Sequence, residues 1–141
     1  MDAHHPEELP LVFQHHFNAG DVPGLLRHYY APDATYAPVP GVVVTGDDVG
    51  PAIGSLTGLG HPIEVTVRHV LTAGDTALLV VDYEIPGLGL RGTATDVARR
   101  RPDGTWRCII DNPHGGAHTV DAPEDTLQAL AGGPTRPAPA T

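Results

Sequence analysis

The chain is short of cysteine: Cys108 is the only one in 141 residues. That excludes an internal disulfide framework, and a lone thiol in a strand-like run is expected to be buried and structural. Basic residues are scarce too, 8 against 17 acidic ones, for a formal net charge of −9. This disfavours nucleic acid and anionic membrane surfaces as partners. No apolar run approaches the length of a membrane span. The opening MDAHHPEELP has no basic stretch followed by an apolar core, so a secretory signal is not expected and the default location is cytoplasmic. Walker loop, GxGxxG, GxSxG and CxxC patterns are all missing. Histidine is what the chain does have, with nine, and these can offset part of the charge at mildly acidic pH. Most come as sequential pairs (His4-His5, His15-His16) or scattered (His61, His69, His114, His118), whereas helical metal ligands sit four apart. No metal and no cofactor is expected.

The length suits one domain with a real core. Residues 1–5 read as loose. Pro6, Glu7 and Glu8 suit a first helical turn, and Leu9, Val12, Phe13, His16 and Phe17 follow the spacing of one helical face. Asn18-Ala19-Gly20 ends that helix, and Asp21 can cap a second over Val22 to Tyr30 with Leu25, Leu26, Tyr29 and Tyr30 toward the core. Ala31-Pro32-Asp33 reads as a turn, followed by short β segments at 34–37 and 42–44. Thr45 or Asp47 can cap a third helix to about Leu56, weakened by Gly50, Pro51 and Gly54. Residues 62–71 alternate, with Ile63, Val65, Val67 and His69 on one face. Gly74-Asp75 marks a hairpin turn into a strand over Thr76 to Ile85, apolar on both faces as far as Val81. Residues 1–116 thus form one α+β domain. Residues 117–141 form an Ala/Pro/Gly-rich tail, with a short helix at 123–130 and disorder from Gly132 onward.

The stretch from Arg91 to Gly115 carries the functional argument. Pro102-Asp103-Gly104 fits a type I turn followed by a left-handed glycine, the usual three-residue hairpin loop. Arg101 then faces Thr105, Ala98 faces Cys108, Asp96 faces Ile110 and Ala94 faces Asn112. Side chains alternate along a strand, so Asp96 points inward on an apolar row and Asp111 points outward. A two-residue turn would instead set Asp96 beside Asp111. An inward Asp costs free energy if charged and unpaired. It is either satisfied by backbone and hydroxyl groups or serves as a pocket acid/base raised by desolvation.

Together, NAGD after the first helix, APDATY after the second, a TG-D helix cap, a strand pair around AGD and DGTW followed by IDNP resemble the NTF2-like superfamily over residues 7–115. The resemblance is strongest to its SnoaL-like and ketosteroid-isomerase-like branch. It implies a cone-shaped fold: a curved antiparallel sheet wrapped around three N-terminal helices, with an internal apolar pocket, often in a homodimer paired through the sheet. It also implies a pocket carboxyl at Asp96. The isomerase's second carboxylate is missing after the DAT segment, where Tyr36-Ala37-Pro38 stands, and its oxyanion tyrosine corresponds to Phe13. Steroid isomerisation by that mechanism is not expected, and the Asp-Arg-Asp set of limonene-type epoxide hydrolases is not visible.

The resulting expectation is a small cofactor-independent cyclase or isomerase for an apolar, oxygenated, polyketide-like molecule. Asp96 would transfer protons, aided by Tyr36 and His114. Asn112, His16, His69, Phe13, Tyr30 and Trp106 are the candidate binding residues. Two alternatives stand beside it. One is a non-catalytic binding or dimerisation module, whose core would be filled by Phe13, Phe17 and Trp106. The other is epoxide opening, which needs a second carboxylate or a histidine to share one water with Asp96.

Overall fold

The Pro102-Asp103-Gly104 turn forms as its residues require. Gly104 takes φ +86°, and the Arg101 N–H donates to the Thr105 carbonyl at 2.7 Å. The Asp103 carboxylate accepts from the Thr105 N–H and hydroxyl. In this computed structural model, which describes residues 1–115, 122–130 and 132, the turn joins strands β5 (Leu90–Arg100) and β6 (Trp106–Asp111). Four further strands, β1 (Tyr30–Val39), β2 (Val42–Thr45), β3 (Glu64–Ala73) and β4 (Thr76–Ile85), complete a curved, open sheet of order β2-β1-β6-β5-β4-β3. All neighbours are antiparallel except β1 and β6.

Helices α1 (Leu9–Asn18), α2 (Val22–His28), α3 (Val49–Thr57) and α4 (Glu124–Leu130) pack with the sheet around one core. α1 buries Leu9, Val12, His16 and Phe17 on its expected face. Asp21 caps α2 by accepting from the Gly24 N–H at 2.9 Å. α2 ends at His28, so Tyr29 caps it and Tyr30 opens β1. α4 rests on α3 and β1, with the Thr126 hydroxyl donating to the Leu88 carbonyl and Leu130 buried. No described helix is long and apolar enough to cross a membrane. The disorder expected beyond Gly132, and His118, lie outside the described residues.

Several expectations are corrected. Residues 1–5 are not loose: Ala3 is fully buried and its carbonyl accepts from the Trp106 N–H. Ala31-Pro32-Asp33 is irregular strand within β1, where the pairing with β6 shifts. β3 bulges between Val67 and His69, the extra residue being Arg68. This breaks the alternation, so His69 faces solvent and Val70 turns inward. The most consequential bulge is in β6. Ala98 faces Cys108 as the turn dictates, but Val97 faces Ile110 rather than Ile109. Beyond that step every side chain of β6 changes face.

Candidate active site

The β6 bulge decides the chemistry of the interior. Asp111, expected on the outer face, swings inward beside Asp96, and the two carboxyls lie within hydrogen-bond reach of each other. Both are buried, at 7% and 6% exposure. Asn112 moves the other way: its amide donates to the Thr95 hydroxyl and the Gly115 carbonyl instead of facing the pocket. Only its backbone serves the site, the N–H donating to Asp96 Oδ1 at 3.0 Å.

The carboxyl pair opens onto a pocket between the sheet and the helices. It is a cavity of about 60 Å³ that is partly open to solvent. α1 contributes Phe13, α3 contributes Ile53 and Leu56, and Leu130 of α4 closes one side. Val81, Ile85 and Ala94 form its sheet wall. Tyr29, Tyr36 and Tyr83 face it together with His114. The fourth of the chain's four tyrosines, Tyr30, stands behind the pair and donates to Asp111 Oδ2 at 2.5 Å. Tyr36 stands beside the pair because β1 runs parallel to β6 with Tyr36 opposite Asp111.

Electrostatics separates the two carboxyls. Burial pushes both above the ordinary carboxylate range. Asp111 is raised to about 6, held back by the hydrogen bonds from Tyr30 and from Asp96. Asp96 is pushed well up by burial and by the neighbouring Asp111 charge, with only the Asn112 N–H opposing. These surroundings favour the pair's proton on Asp96, hydrogen-bonded to Asp111. Burial likewise raises Tyr29, Tyr30, Tyr36 and Tyr83, so each is a neutral hydroxyl donor. The Cys108 thiol is raised by burial and its Sγ–H points to the Ile110 carbonyl, so it is no nucleophile.

The other candidate residues divide. Asp96, Tyr36, His114 and Phe13 line the pocket, and Tyr30 touches it through Asp111. His16 is buried but binds Asp21 at 3.0 Å and stacks on His28, away from the pocket. His69 is excluded by the β3 bulge. Trp106 sits at the turn end of β6, bridged to Ala3, and is structural. Asp111, Tyr29 and Tyr83 are the site residues that sequence reasoning passed over. One signal for Asp111 was present: Ile109-Ile110, two β-branched apolar residues in succession, breaks the alternation of a half-buried strand and is compatible with a bulge. Among the described residues, no three His, Cys, Asp or Glu side chains group so as to hold a metal ion.

No family model matches this sequence, and no curated protein does. Solved structures do match in shape. A candidate calcium/calmodulin-dependent protein kinase type II association domain from Thiobacillus denitrificans superposes with TM-score 0.65 at 21% identity, over 79% of this chain and 95% of that one. A candidate dehydratase of the NTF2-like family from Streptomyces avermitilis gives 0.62 at 21% identity, over 74% and 89%. An NTF2-like protein of unknown function from Silicibacter pomeroyi gives 0.58 at 19% identity, over 74% and 87%. At these identities the likeness is one of fold.

Proposed function

We propose that this chain, which has the NTF2-like fold, is a small cofactor-independent isomerase or cyclase whose Asp96–Asp111 pair moves protons on an apolar, oxygenated substrate. The observation that carries the reading is two buried carboxyls side by side at the wall of an apolar pocket, each with a different hydrogen-bond partner behind it. Asp111, the more readily ionised, takes the proton from carbon next to a substrate carbonyl. Asp96 keeps its proton and, with the Tyr36 hydroxyl, donates a hydrogen bond to the oxygen on which charge develops. The enolate is then re-protonated by Asp111 at another carbon, or attacks a second carbonyl carbon of the same substrate to close a ring; that carbonyl's oxygen takes the π electron pair and then the proton from Asp111. No electrons are exchanged with a second reactant, so proton transfer alone completes either reaction.

The non-catalytic alternative is less well supported. Phe13 lines an open pocket rather than filling it, and Trp106 lies elsewhere. Epoxide opening gains the second carboxylate it needs in Asp111. However, no arginine or lysine lines the pocket among the described residues.

Deuterium uptake at the carbon next to the carbonyl of 1-tetralone, followed by NMR in deuterated buffer, tests the reading. Wild-type protein should accelerate exchange, and Asp96→Asn and Asp111→Asn should each lower it on the order of 10²–10⁴-fold. Exchange that is indifferent to both substitutions would remove the acid/base role.

A homodimer paired through the sheet is part of the same proposal. Leu71, Leu78, Val97 and Ile110 are register partners in succession across β3, β4, β5 and β6 on the outer face. Leu71, Leu78 and Ile110 are exposed at 63%, 37% and 42%. Such an apolar row crossing four strands suits burial against a second copy.

A further inference from the structure

One polar pair in the pocket takes no part in the proton transfer described above. Tyr83 Oη and His114 Nδ1 are 3.5 Å apart, at the outer limit of a hydrogen bond. Both residues are buried and both line the pocket. His114 Nε2 lies 2.6 Å from the Pro38 carbonyl. A carbonyl only accepts, so Nε2 carries the proton and Nδ1 presents a lone pair. Burial holds His114 below its ordinary value, which keeps the ring neutral. Tyr83 holds its place because its β5 partner is Gly92. A Cβ there would stand 2.9 Å from Tyr83 Oη and 3.2 Å from Cζ. The ring lies in the space that a side chain would fill, and its hydroxyl reaches across β5 toward His114.

This leaves an acceptor and a donor facing one gap, each poorly satisfied by the other. A group that both donates and accepts can bridge them from the pocket side, giving its proton to Nδ1 and accepting from the Tyr83 hydroxyl. A hydroxyl does this, whereas a carbonyl would leave Nδ1 unpaired. The station also lies apart from the carboxyl pair. Asp96 pairs with Leu79 and Gly92 with Tyr83, four residues further along the strands, or roughly 13 Å between Cα positions.

We propose that Tyr83 and His114 form a second ligand station in the pocket, distinct from the carboxyl pair, that takes a hydroxyl group. The substrate is then an uncharged, largely apolar ketone that carries a hydroxyl away from its reacting carbonyl. This rests on the acid/base reading for the position of the carbonyl, while the station itself stands on its own geometry.

Calorimetric binding of 1-tetralone and of its 5-, 6- and 7-hydroxy derivatives to the full-length protein tests the station. At least one hydroxyketone should bind about tenfold more tightly than 1-tetralone, the worth of one good buried hydrogen-bonded group. Tyr83→Phe keeps the ring over Gly92 and removes the hydroxyl. His114→Phe keeps a flat ring and removes the Nδ1 acceptor together with the Nε2 donor. Each should cut the preference below about threefold, and Asp96→Asn should weaken both kinds of ketone while leaving the preference intact. If His114→Phe fails to fold, Tyr83→Phe decides alone. The proposal is overturned if no hydroxyketone is preferred, including the case in which none binds, or if the preference survives the station variants. Deuterium exchange judges the carboxyl pair separately. Exchange dependent on Asp96 without a hydroxyl preference defeats the station only, and the reverse defeats only the acid/base reading.

Discussion

Asp96 and Asp111 are chemically the same side chain, yet their surroundings give them opposite tasks. Asp111 has the Tyr30 hydroxyl and the Asp96 proton to support a negative charge. Asp96 has one backbone N–H and a charged neighbour, so it stays protonated. The pair also acts on stability. Asp111 is raised from 3.8 to about 6 in the folded protein. The native state therefore holds a proton there that the unfolded state releases, and stability is lost as pH rises between about 4 and 6. That shift corresponds to about 3 kcal/mol, fully lost above the upper value. Asp111→Asn removes this dependence. In urea unfolding it should be about 1–3 kcal/mol more stable than wild type at pH 7.5 and nearly equal to it at pH 4, while losing its catalysis of exchange. A variant that is less stable at pH 7.5 would mean that the pair is not strained at neutral pH.

Among the elements, the strands carry their information in their irregularities. β4 pairs with β5 without a bulge, and its burial alternates although its residues are apolar on both faces as far as Val81. β3 and β6 each carry one extra residue, and these bulges move His69 out and Asp111 in. A bulge follows from how a strand must bend to meet its neighbours, so the strand's own residues only hint at it. Helix starts are more local. Asp21 holds α2 with one oxygen and His16 with the other. The arrangement depends on Gly24, where a Cβ would lie 2.3 Å from both Asp21 Oδ2 and His16 Nδ1. Gly24→Ala gains helix propensity but displaces the cap and its histidine. The net expectation is a loss of about 1–2 kcal/mol in thermal or urea unfolding. A gain in stability would show that the capping pair contributes little.

For the molecule as a whole, the sheet has two working faces. The inner face and helices α1, α3 and α4 enclose the pocket, and α4, from beyond the main domain expected from the sequence, supplies Leu130 to its wall. The outer face bears the apolar row through Leu78. If that row pairs two copies, Leu78→Glu should convert a dimer to a monomer in analytical ultracentrifugation at micromolar concentration, with the native circular dichroism retained. A monomeric wild type would assign the row to no self-association at all. The substitution is outward-facing and leaves the pocket lining untouched, so catalysis of exchange measures whether the pocket needs the partner.

Much of this was legible in the residues. The turn chemistry of Pro102-Asp103-Gly104, the cap at Asp21 and the 3.6-residue face of α1 act over a few neighbouring residues, and each specifies its structure without help. Asp96 on the inner face follows from the same local counting. The tertiary structure decided the partner. Asp111, Tyr30, Tyr36, Tyr83 and His114 come from three separate stretches of chain, brought together by the parallel pairing of β1 with β6, by a bulge at Ile109 and by a missing Cβ at Gly92. These are long-range consequences of fitting a bent sheet around helices. They turned a single buried carboxyl, readable as a merely satisfied core residue, into a pair with a defined proton between them.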